Sequence, residues 1–253
     1  MKKEELIKSW KAEEEIAYIH GWDFSHIEGR HTEDIDFGWD YVQLVKKYLR
    51  DDMKLMDIDT GGGEILLSLG HPYENTAASE GYSPNIELCK KELLPLGIDF
   101  RPGNADDTLP FEDESIDIII NRHGSFNPQD IYRMLKPGGL FITQQVGADN
   151  DRELVNLLCG DIPVPFPEQH LKIVEEKFIK SGFRILESDE CFKSMKFFDT
   201  GALVWFARII QWEYPGFSVE NNLDRLLEVE KIIESNGYVE GHTHRFMLVA
   251  IKE

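Results

Sequence analysis

The sequence predicts an α/β fold in three layers, with a mostly parallel sheet between two layers of helices and an antiparallel last strand. Short, β-rich apolar runs alternate with helical patterns between residues 54 and 146. That alternation is typical of parallel strands joined by crossover helices. The run IDIIIN at 116–121 is continuously apolar and β-branched, as expected for a central strand buried on both faces.

The predicted core elements follow one another closely along the chain. Helices are expected over EILLSLG, PNIELCKKELLPLG and NPQDIYRML, and Pro84 suits a first helical turn. Pro137, Gly138 and Gly139 cannot extend a helix, so the chain must turn there into a strand. Strands are predicted at 54–59, 75–81, 98–104, 116–121 and 140–146.

Beyond residue 150 the pattern loosens. An amphipathic helix, PEQHLKIVEEKFIKSG, leads into a predicted strand, FRILESDECFK, with which the final GHTHRFMLVAIK is expected to pair as an antiparallel edge. Between these strands lie two helical segments, longer than an ordinary connection. These two helical segments are either a cap over a site or a pair of helices that only packs against the core. The predicted division is an N-terminal helical segment, a core and an insertion, at 1–50, 51–195 with 239–253, and 196–238.

Charge and composition narrow the class of partner. The chain of 253 residues has 27 Lys and Arg against 47 Asp and Glu, a formal net charge of -20. Such a field repels phosphate backbones and anionic lipids, which disfavours nucleic-acid and membrane partners. The cysteines Cys89, Cys159 and Cys191 are widely spaced, as expected of reduced thiols in a cytoplasmic protein. No apolar run reaches the roughly 18 to 20 residues that span a bilayer, and no signal peptide is recognisable.

A glycine-rich turn follows the first predicted strand, in the stretch KLMDIDTGGGEILLSLG from Lys54 to Gly70. A turn of this kind brings backbone N–H groups and a helix N-terminus against a ligand, although a purely structural tight turn is the alternative. Glu80 ends the second predicted strand, 19 residues after Gly61. An acidic residue at about this distance binds ribose hydroxyls in nucleotide-binding α/β folds.

The glycine order bears on the type of cofactor. A dinucleotide site favours G-x-G-x-x-G, but Leu66 stands where the third glycine would fall in the frame that starts at Gly61. Glu64 and the absence of nearby Lys or Arg make the turn a poor partner for a pyrophosphate. A cofactor without phosphates therefore fits this acidic turn better.

Four segments between residues 36 and 147 carry a family resemblance. They are LMDIDTGGGE, ASEGYSPN, GNADDTLPFEDESIDIIINRH and IYRMLKPGGLFITQQVG. In their order and spacing the chain resembles the class I S-adenosylmethionine-dependent methyltransferases, particularly the small-molecule group that includes the ubiquinone and menaquinone biosynthesis enzymes, the type 11 methyltransferases. The resemblance implies a Rossmann-like methyltransferase fold with a seven-stranded sheet, and S-adenosyl-L-methionine as cofactor.

The resemblance also implies roles for particular residues. The methionine and ribose parts of the cofactor would lie against the first turn, Glu80 would hold the ribose diol, and Tyr82 would lie close to the adenine. Asn104, Ala105 and Asp106 would border the adenine. The residues implied for the turn are Asp57, Thr60, Gly61 and Gly63. Those implied to lie beneath the reacting methyl group are Asn121, Arg122 and His123.

Asp59 departs from the family pattern, which has glycine at this position. Its Cβ could force a different backbone path, and its carboxylate could repel the cofactor's carboxylate or bind its ammonium group. We count Asp59 among the cofactor-binding candidates, with the hypothesis that it weakens or reshapes binding without abolishing it.

The acceptor is expected to be a small molecule. His123 follows the fourth strand and is a candidate general base, with a structural, hydrogen-bonded role as the alternative. The loop lacks N-P-P-Y, a motif associated with amino methylation of nucleobases and glutamine. Methyl transfer from a sulfonium is a direct displacement, so alignment and exclusion of water are the main requirements.

Two aromatic segments are candidates for an acceptor pocket. In resembling families the segment before the core often closes over the site, and here it contains HGWDFSHIEGRH. The predicted substrate-pocket residues are Trp22, Phe24, His26, Phe198 and Trp205, although an aromatic stripe at helical spacing usually packs a core. The histidines lack metal-ligand spacing, so no metal is expected. The alternatives to a methyltransferase are a catalytically silent cofactor-binding protein and a nicotinamide-dependent oxidoreductase.

Overall fold

The computed structural model describes residues 3–18 and 24–253. The chain forms two compact units, which we call the sheet unit (38–147, 168–191 and 245–253) and the helical unit (1–37, 148–167 and 192–244). The predicted N-terminal segment and insertion thus fall largely in one unit, which also takes in 148–167. Their roles as lid and cap stay predictions.

The elements alternate through the sheet unit and become mainly helical elsewhere. The helices are α1 Lys3–Ile16, α2 Tyr41–Tyr48, α3 Glu64–Ser68, α4 Ser83–Glu92, α5 Pro128–Met134, α6 Arg152–Cys159, α7 Leu171–Lys180, α8 Thr200–Ile209 and α9 Leu223–Asn236. The strands are β1 His31–Glu33, β2 Leu55–Ile58, β3 Thr76–Glu80, β4 Asp99–Pro102, β5 Ile116–Arg122, β6 Leu135–Val146, β7 Phe183–Phe197 and β8 Val239–Lys252.

The strands form a mostly parallel sheet in the order β1-β7-β8-β6-β5-β2-β3-β4. The pairs β5/β6, β5/β2, β2/β3 and β3/β4 are parallel, whereas β6/β8 and β1/β7 are antiparallel. This confirms the predicted α/β class with its antiparallel last strand. Parallel strands place their carboxyl ends on one edge, so the loops after β2, β3 and β5 converge there.

Three details of the sheet differ from the prediction. Within the described residues the sheet has eight strands and not seven, because the three-residue β1 carries no pattern of its own. The last strand is not an edge, since β8 lies between β7 and β6. β6 begins at Leu135, ahead of the predicted 140, because Leu135 pairs with Ile116. Pro137, Gly138 and Gly139 lie in a register shift that follows, and regular pairing resumes where Leu140 pairs with Ile118.

The sheet unit buries apolar side chains on both faces of its strands. One cluster includes Met56, Ile119, Phe141 and Leu248, and the other includes Leu55, Ile118, Ile142 and Val249. Neighbouring residues of a strand point to opposite faces, so these clusters assign a face to every strand position. The assignment is used below for the polar residues at the strand ends.

The helical unit has a separate core. α1 contributes Leu6 and Trp10 to a cluster that also contains much of α8. Asp199 caps α8 by accepting a hydrogen bond from the Ala202 amide at 2.8 Å. Arg30 donates to both carboxylate oxygens of Asp199, at 2.9 and 2.6 Å. This bidentate pair fixes the segment before β1 to the start of α8.

The stacked aromatic rings of the sheet unit predict a residue whose substitution strongly destabilises the fold. Phe178 of α7 is fully buried and stacks on Phe141, with ring centroids 4.9 Å apart. We expect Phe178→Ala to lower the free energy of unfolding by about 3–5 kcal/mol through lost burial and a residual cavity. The neighbouring Ile179 is 57% exposed, so Ile179→Ala is the matched control. Urea unfolding followed by circular dichroism measures both, and equal losses would contradict the packing assignment.

Candidate functional site

The glycine turn connects β2 to α3 at the carboxyl edge of the sheet. Gly61 and Gly63 have φ values of 64° and 88°, in the left-handed region that glycine adopts most easily. A Cβ on Gly63 would lie 2.7 Å from Leu93 Cδ2. The turn therefore needs glycine at Gly63 both for its conformation and for close packing on Leu93.

The backbone N–H groups of the turn are all bonded within the chain. Gly61 N–H donates to Glu80 Oε2 at 2.9 Å, and Gly62 N–H donates to Glu64 Oε2 at 3.2 Å. Gly63 N–H donates to the Thr60 carbonyl at 3.0 Å. In a phosphate-binding turn such groups point at the ligand. Here two of them are bonded to carboxylates, so a phosphate would meet negative charge and no free glycine donor.

Glu80 joins the turn to the end of β3. Its Oε1 accepts from the amides of Gly81 and Tyr82 at 2.9 and 2.8 Å. Its Oε2 accepts from Gly61 and, at 3.3 Å, from the Asn85 side chain. Only 5% of Glu80 is exposed. Sequence and structure agree on its position beside the turn, and four donors surround the carboxylate.

Asp57 lies beneath the turn. It is buried, and Thr60 Oγ1 donates to its Oδ2 at 2.6 Å. Burial raises the pKa of Asp57 to about 7, against the Thr60 hydrogen bond, and the charges of Asp59, Glu80 and Glu64 raise it further. Asp57 therefore lies among three other carboxyl groups, and the causes of its pKa shift include no cation.

Asp59 takes the backbone conformation that a glycine would take. Its φ is 53°, a left-handed value that Asp tolerates better than most residues. Its Oδ2 accepts from the Ser125 amide at 2.9 Å, in the loop after β5. A Cβ on Gly124 would lie only 2.6 Å from Asp59 Cβ. The absence of a side chain at Gly124 thus makes room for Asp59.

The Asp59 carboxyl also has a perturbed acidity. Burial raises its pKa to about 6, and Glu80 and Asp106 raise it further, while the Ser125 hydrogen bond acts in the opposite direction. Asp59 accommodates its side chain with a left-handed conformation. Its expected effects on the backbone path and on cofactor binding stay predictions.

Asn121 stabilises the end of β5 from below. It is 0% exposed, and its Nδ2 donates to the carbonyls of Ile58 and Ser125 at 2.9 and 3.2 Å. Its Oδ1 accepts from Gln145 Nε2 at 2.6 Å. It points to the sheet face that carries Ile119 and Phe141, so its side chain supports the loops and does not line an open surface.

His123 is held by a polar chain at the same strand end. Its φ of 58° is left-handed, and its Nε2 lies 3.2 Å from Gln144 Nε2, while Trp39 Nε1 donates to Gln144 Oε1 at 2.9 Å. The Gln144 amide is thus the donor to a neutral imidazole. The residue is exposed to solvent.

The electrostatics of His123 bear on its predicted role as a general base, which stays a prediction. Desolvation by the surrounding protein lowers its pKa to about 3, and Arg122 and Arg245 lower it further. A general base works best with a pKa near the operating pH. The alternative identified from sequence, a hydrogen-bonded structural histidine, agrees better with this arrangement.

The predicted adenine-side residues lie where β3 and β4 end. A Cβ on Gly81 would lie 3.2 Å from Asn104 Cα, so the two loops pass in close contact. Asn104 Oδ1 accepts from the Asp106 amide at 3.1 Å, and Ala105 is buried between them. Tyr82 is 65% exposed. These residues therefore lie together at the ends of β3 and β4, and their contact with adenine stays a prediction.

The predicted acceptor-pocket residues belong to the helical unit, except that Trp22 lies outside the described residues. Phe24 and His26 pack on Trp205, with ring centroids 5.9 and 5.2 Å away. Trp205 is only 3% exposed, whereas Phe198 is exposed. The three rings thus form part of a packed cluster, and their role as an acceptor wall stays a prediction.

Several residues of the site were missed from sequence. Gly124 and Ser125 have no recognisable motif in the sequence, and only their contacts with Asp59 identify them as part of the site. Gln144 and Arg245 lie in predicted strands, and the period-two pattern could have placed them on one face. Trp39 carried no signal, because its partner Gln144 is distant in the chain.

Within 3–18 and 24–253, no group of three or more His, Cys, Asp or Glu side chains is arranged to hold a metal ion. In the same part of the chain, no helix has the length and apolar character needed to cross a bilayer.

Similar solved structures define the class of fold. A "putative methyltransferase" from Bacillus halodurans superposes with a TM-score of 0.58 at 16% identity, over 84% of this chain and 98% of the other. A 4+2 cyclase, SpnF, superposes with a TM-score of 0.51 at 15% identity, over 83% and 79%. At such identities the likeness shows the fold alone, which is the Rossmann-like methyltransferase fold.

The sequence comparison finds a related family for part of the chain. Residues 56–143 match the family described as "Methyltransferase domain". This segment, which contains the glycine turn, Glu80 and the end of β5, is similar to methyltransferase domains. This confirms the resemblance recognised in the sequence.

Curated relatives match over a similar length. Phthiotriol/phenolphthiotriol dimycocerosates methyltransferase of Mycobacterium tuberculosis is 34% identical over 98 residues, 36% of this chain and 36% of that protein. The Mycobacterium leprae protein of the same description is 34% identical over 86 residues, 31% of each. The match thus spans about a third of these relatives.

The Asp59 and Gly124 contact predicts a measurable coupling. Gly124→Ala places a Cβ 2.6 Å from Asp59 Cβ and 2.9 Å from Asn121 Nδ2, so we expect a loss of about 1–3 kcal/mol in the free energy of unfolding. In an Asp59→Gly background one of these clashes is absent, and the loss should shrink by about 0.5 kcal/mol or more. Denaturant unfolding of the wild type, both single variants and the double variant measures the coupling. Strictly additive losses would contradict the contact.

Proposed function

We propose that this protein transfers a methyl group from S-adenosyl-L-methionine to a small-molecule acceptor, at O, N or C. The observation that carries the proposal is the acidic, phosphate-excluding glycine turn within a methyltransferase domain. A cytoplasmic location and the lack of nucleic-acid or membrane partners remain predictions from the charge of the chain.

The residues of the turn suit a cationic nucleoside without phosphates. The charge of Glu80 raises the pKa values of both Asp57 and Asp59, and the charge of Asp59 raises that of Asp57. A ligand with a sulfonium and an ammonium group offsets this charge, whereas a pyrophosphate adds to it. Gly61 and Gly62 support the same preference, because their N–H groups are bonded to carboxylates.

Glu80 is proposed to bind the ribose diol. Each of its oxygens already accepts two hydrogen bonds, and the longest, at 3.3 Å, comes from the Asn85 side chain. A ribose hydroxyl could replace that donor while the three backbone amides keep the carboxylate in place. The exposed ring of Tyr82 and the loop at Asn104 and Asp106 would then flank the adenine.

When bound, S-adenosyl-L-methionine supplies an electrophilic methyl group on a sulfonium. The chain's contribution is alignment and exclusion of water, since direct displacement needs no metal and no covalent intermediate. Asn121 fixes the loop after β5 through the Ile58 and Ser125 carbonyls. We propose that His123 stays neutral and positions the acceptor through its ring, with its orientation set by Gln144.

Two alternatives are retained. A silent S-adenosylmethionine-binding protein would keep the same site without transfer, and the low pKa of His123 leaves the acceptor without an assigned base. A nicotinamide-dependent oxidoreductase is disfavoured, because the glycine N–H groups that a pyrophosphate needs are occupied.

Ligand binding and transfer test the function. We expect S-adenosylmethionine and S-adenosylhomocysteine to raise the melting temperature, and NAD(P) to leave it unchanged. Glu80→Gln removes a charge and turns one acceptor into a donor facing backbone amides, so affinity measured by calorimetry should fall about tenfold or more. Glu92→Gln, an exposed change on α4, is the control. Stabilisation by NAD(P) alone would overturn the proposal.

Radiolabelled methyl transfer separates an enzyme from a silent binder. The protein is incubated with methyl-labelled S-adenosylmethionine and a metabolite extract, and label in an extractable product supports transfer. Binding without any labelled product would favour the silent binding protein.

The raised pKa values predict a pH-dependent affinity. Because the pKa is about 7 for Asp57 and about 6 for Asp59, both carboxyls lose protons between about pH 5 and about pH 8. A cation stabilises their charged forms, so affinity for S-adenosylmethionine should rise about tenfold over this range. S-adenosylhomocysteine lacks the sulfonium and should show a smaller rise. Calorimetry at both ends of the range measures this, and equal pH dependence of the two ligands would contradict it.

The ligand-free protein should show the opposite trend in stability. The folded-state pKa values lie above the usual value of 3.8, so the folded state binds more protons than the unfolded state between about pH 4 and about pH 7. The contribution of these two groups to the free energy of unfolding therefore falls as pH rises through that interval. Asp57→Asn should flatten both pH profiles.

A further inference from the structure

One face of α4 lies against the glycine turn. Asn85 and Cys89 are one helical turn apart and therefore lie on the same face of this helix. Asn85 Nδ2 donates to Glu80 Oε2 at 3.3 Å, and Cys89 Sγ donates to the Gly61 carbonyl at 3.1 Å. Leu93, one helical turn further on, packs on the third glycine of the turn. The contact between α4 and the turn thus includes a hydrogen bond to the turn backbone itself.

The thiol of Cys89 is a buried hydrogen-bond donor. Its side chain is 0% exposed, so water does not compete for the bond to the Gly61 carbonyl. Burial, together with the charges of Glu80, Glu64 and Asp57, raises the pKa of the Cys89 thiol to about 12. The thiol therefore keeps its proton at neutral pH, as a donor must.

The bond from Cys89 fixes a peptide that has little steric resistance to rotation. The accepting carbonyl belongs to the peptide between Gly61 and Gly62, and neither residue carries a Cβ. In a planar trans peptide the C=O and N–H groups point in opposite directions. Since the Gly61 carbonyl points to α4, the Gly62 N–H points away from α4, where it donates to Glu64 Oε2 at 3.2 Å. Cys89 therefore sets the direction of both groups.

Gly61 is held on both sides of its Cα. Its N–H donates to Glu80 at 2.9 Å, and its carbonyl accepts from Cys89. A reversed Gly61–Gly62 peptide would turn the Gly61 oxygen towards the Glu64 carboxylate, where two acceptors would face each other. It would also leave the buried thiol without an acceptor, which is unfavourable. The observed orientation is thus the one that both neighbours favour.

We propose that Cys89 is a positioning residue for the cofactor, whose thiol holds the Gly61–Gly62 peptide in the orientation that the cofactor binds. This inference rests on the proposed function of the turn. Because Cys89 is fully buried, it acts through the peptide and not by contact with a ligand. A turn that is ordered before binding loses less conformational entropy when the ligand arrives, and the affinity is higher for that reason.

Affinity for S-adenosylhomocysteine tests the role of the thiol. The ligand is titrated calorimetrically into the full chain. Cys89→Ala removes the donor, and we expect it to weaken binding about threefold to tenfold. Cys89→Ser keeps a donor at the same position, so most of the affinity should be retained. Equal weakening in the two variants, or unchanged affinity in Cys89→Ala, would overturn the proposal.

Two control variants separate positioning from stability and from loss of a thiol. Ile98→Val removes a methylene from the apolar cluster that also contains Cys89, and it removes no hydrogen-bond donor. Cys159→Ala removes a thiol from the helical unit. Both should leave the affinity unchanged, while urea unfolding reports the stability of every variant. If Ile98→Val weakens S-adenosylhomocysteine as much as Cys89→Ala does, lost packing explains the effect and the positioning role is refuted.

Nuclear magnetic resonance tests the contact without any ligand. Glycine labelled at its carbonyl carbon and its nitrogen gives carbonyl–amide correlations only for consecutive glycines, which are the pairs Gly61–Gly62, Gly62–Gly63 and Gly138–Gly139. We expect Cys89→Ala to shift or split the Gly61–Gly62 signal and to leave the Gly138–Gly139 signal unchanged. An unchanged Gly61–Gly62 signal would contradict the contact. Wild-type protein that shows the contact and fails to bind S-adenosylhomocysteine would instead refute the proposed function.

Discussion

The hydrogen bonds of Glu80 connect the parts of the site on which its chemistry depends. One carboxylate accepts from Gly61 in the turn after β2 and from Gly81 and Tyr82 at the end of β3. Charge-assisted bonds to backbone amides are strong, and burial strengthens them. They hold two adjacent strand ends in register and occupy the first glycine N–H. The same interaction therefore shapes the turn and places a carboxylate against its first glycine N–H.

Negative charge is concentrated at this turn. Burial and the nearby charge of Glu80 raise the pKa values of Asp57 and Asp59, which disfavours their ionised forms when no cation is close. Asp59 also bonds to the loop after β5 through Ser125. A cofactor with a positive centre would match this concentration of carboxylates.

Much of the architecture could be read from local patterns. The buried strand IDIIIN, the glycine turn and the acid at the next strand end are each marked by composition and spacing, and the structure has them as β5, the β2–α3 turn and Glu80. The three-residue β1 and the inner position of β8 were not predicted, because strand order and short pairings depend on distant partners. The contact between Asp59 and Gly124 was not predicted for the same reason, because the side chain of Asp59 occupies the space that a side chain at Gly124 would need.

The sequence by itself determined the fold class and the resemblance to methyltransferases, and it predicted the carboxyl edge of the sheet as the site, since periodicity, glycine spacing and ordered motifs act over short stretches of chain. Only the tertiary structure decided how that edge is charged and bonded. It bonded the Gly61 and Gly62 N–H groups to carboxylates, placed His123 beside Gln144, and brought Arg122 and Arg245 to one face of the sheet. Desolvation and Coulomb interactions depend on distances between residues far apart in the chain, and folding alone sets those distances.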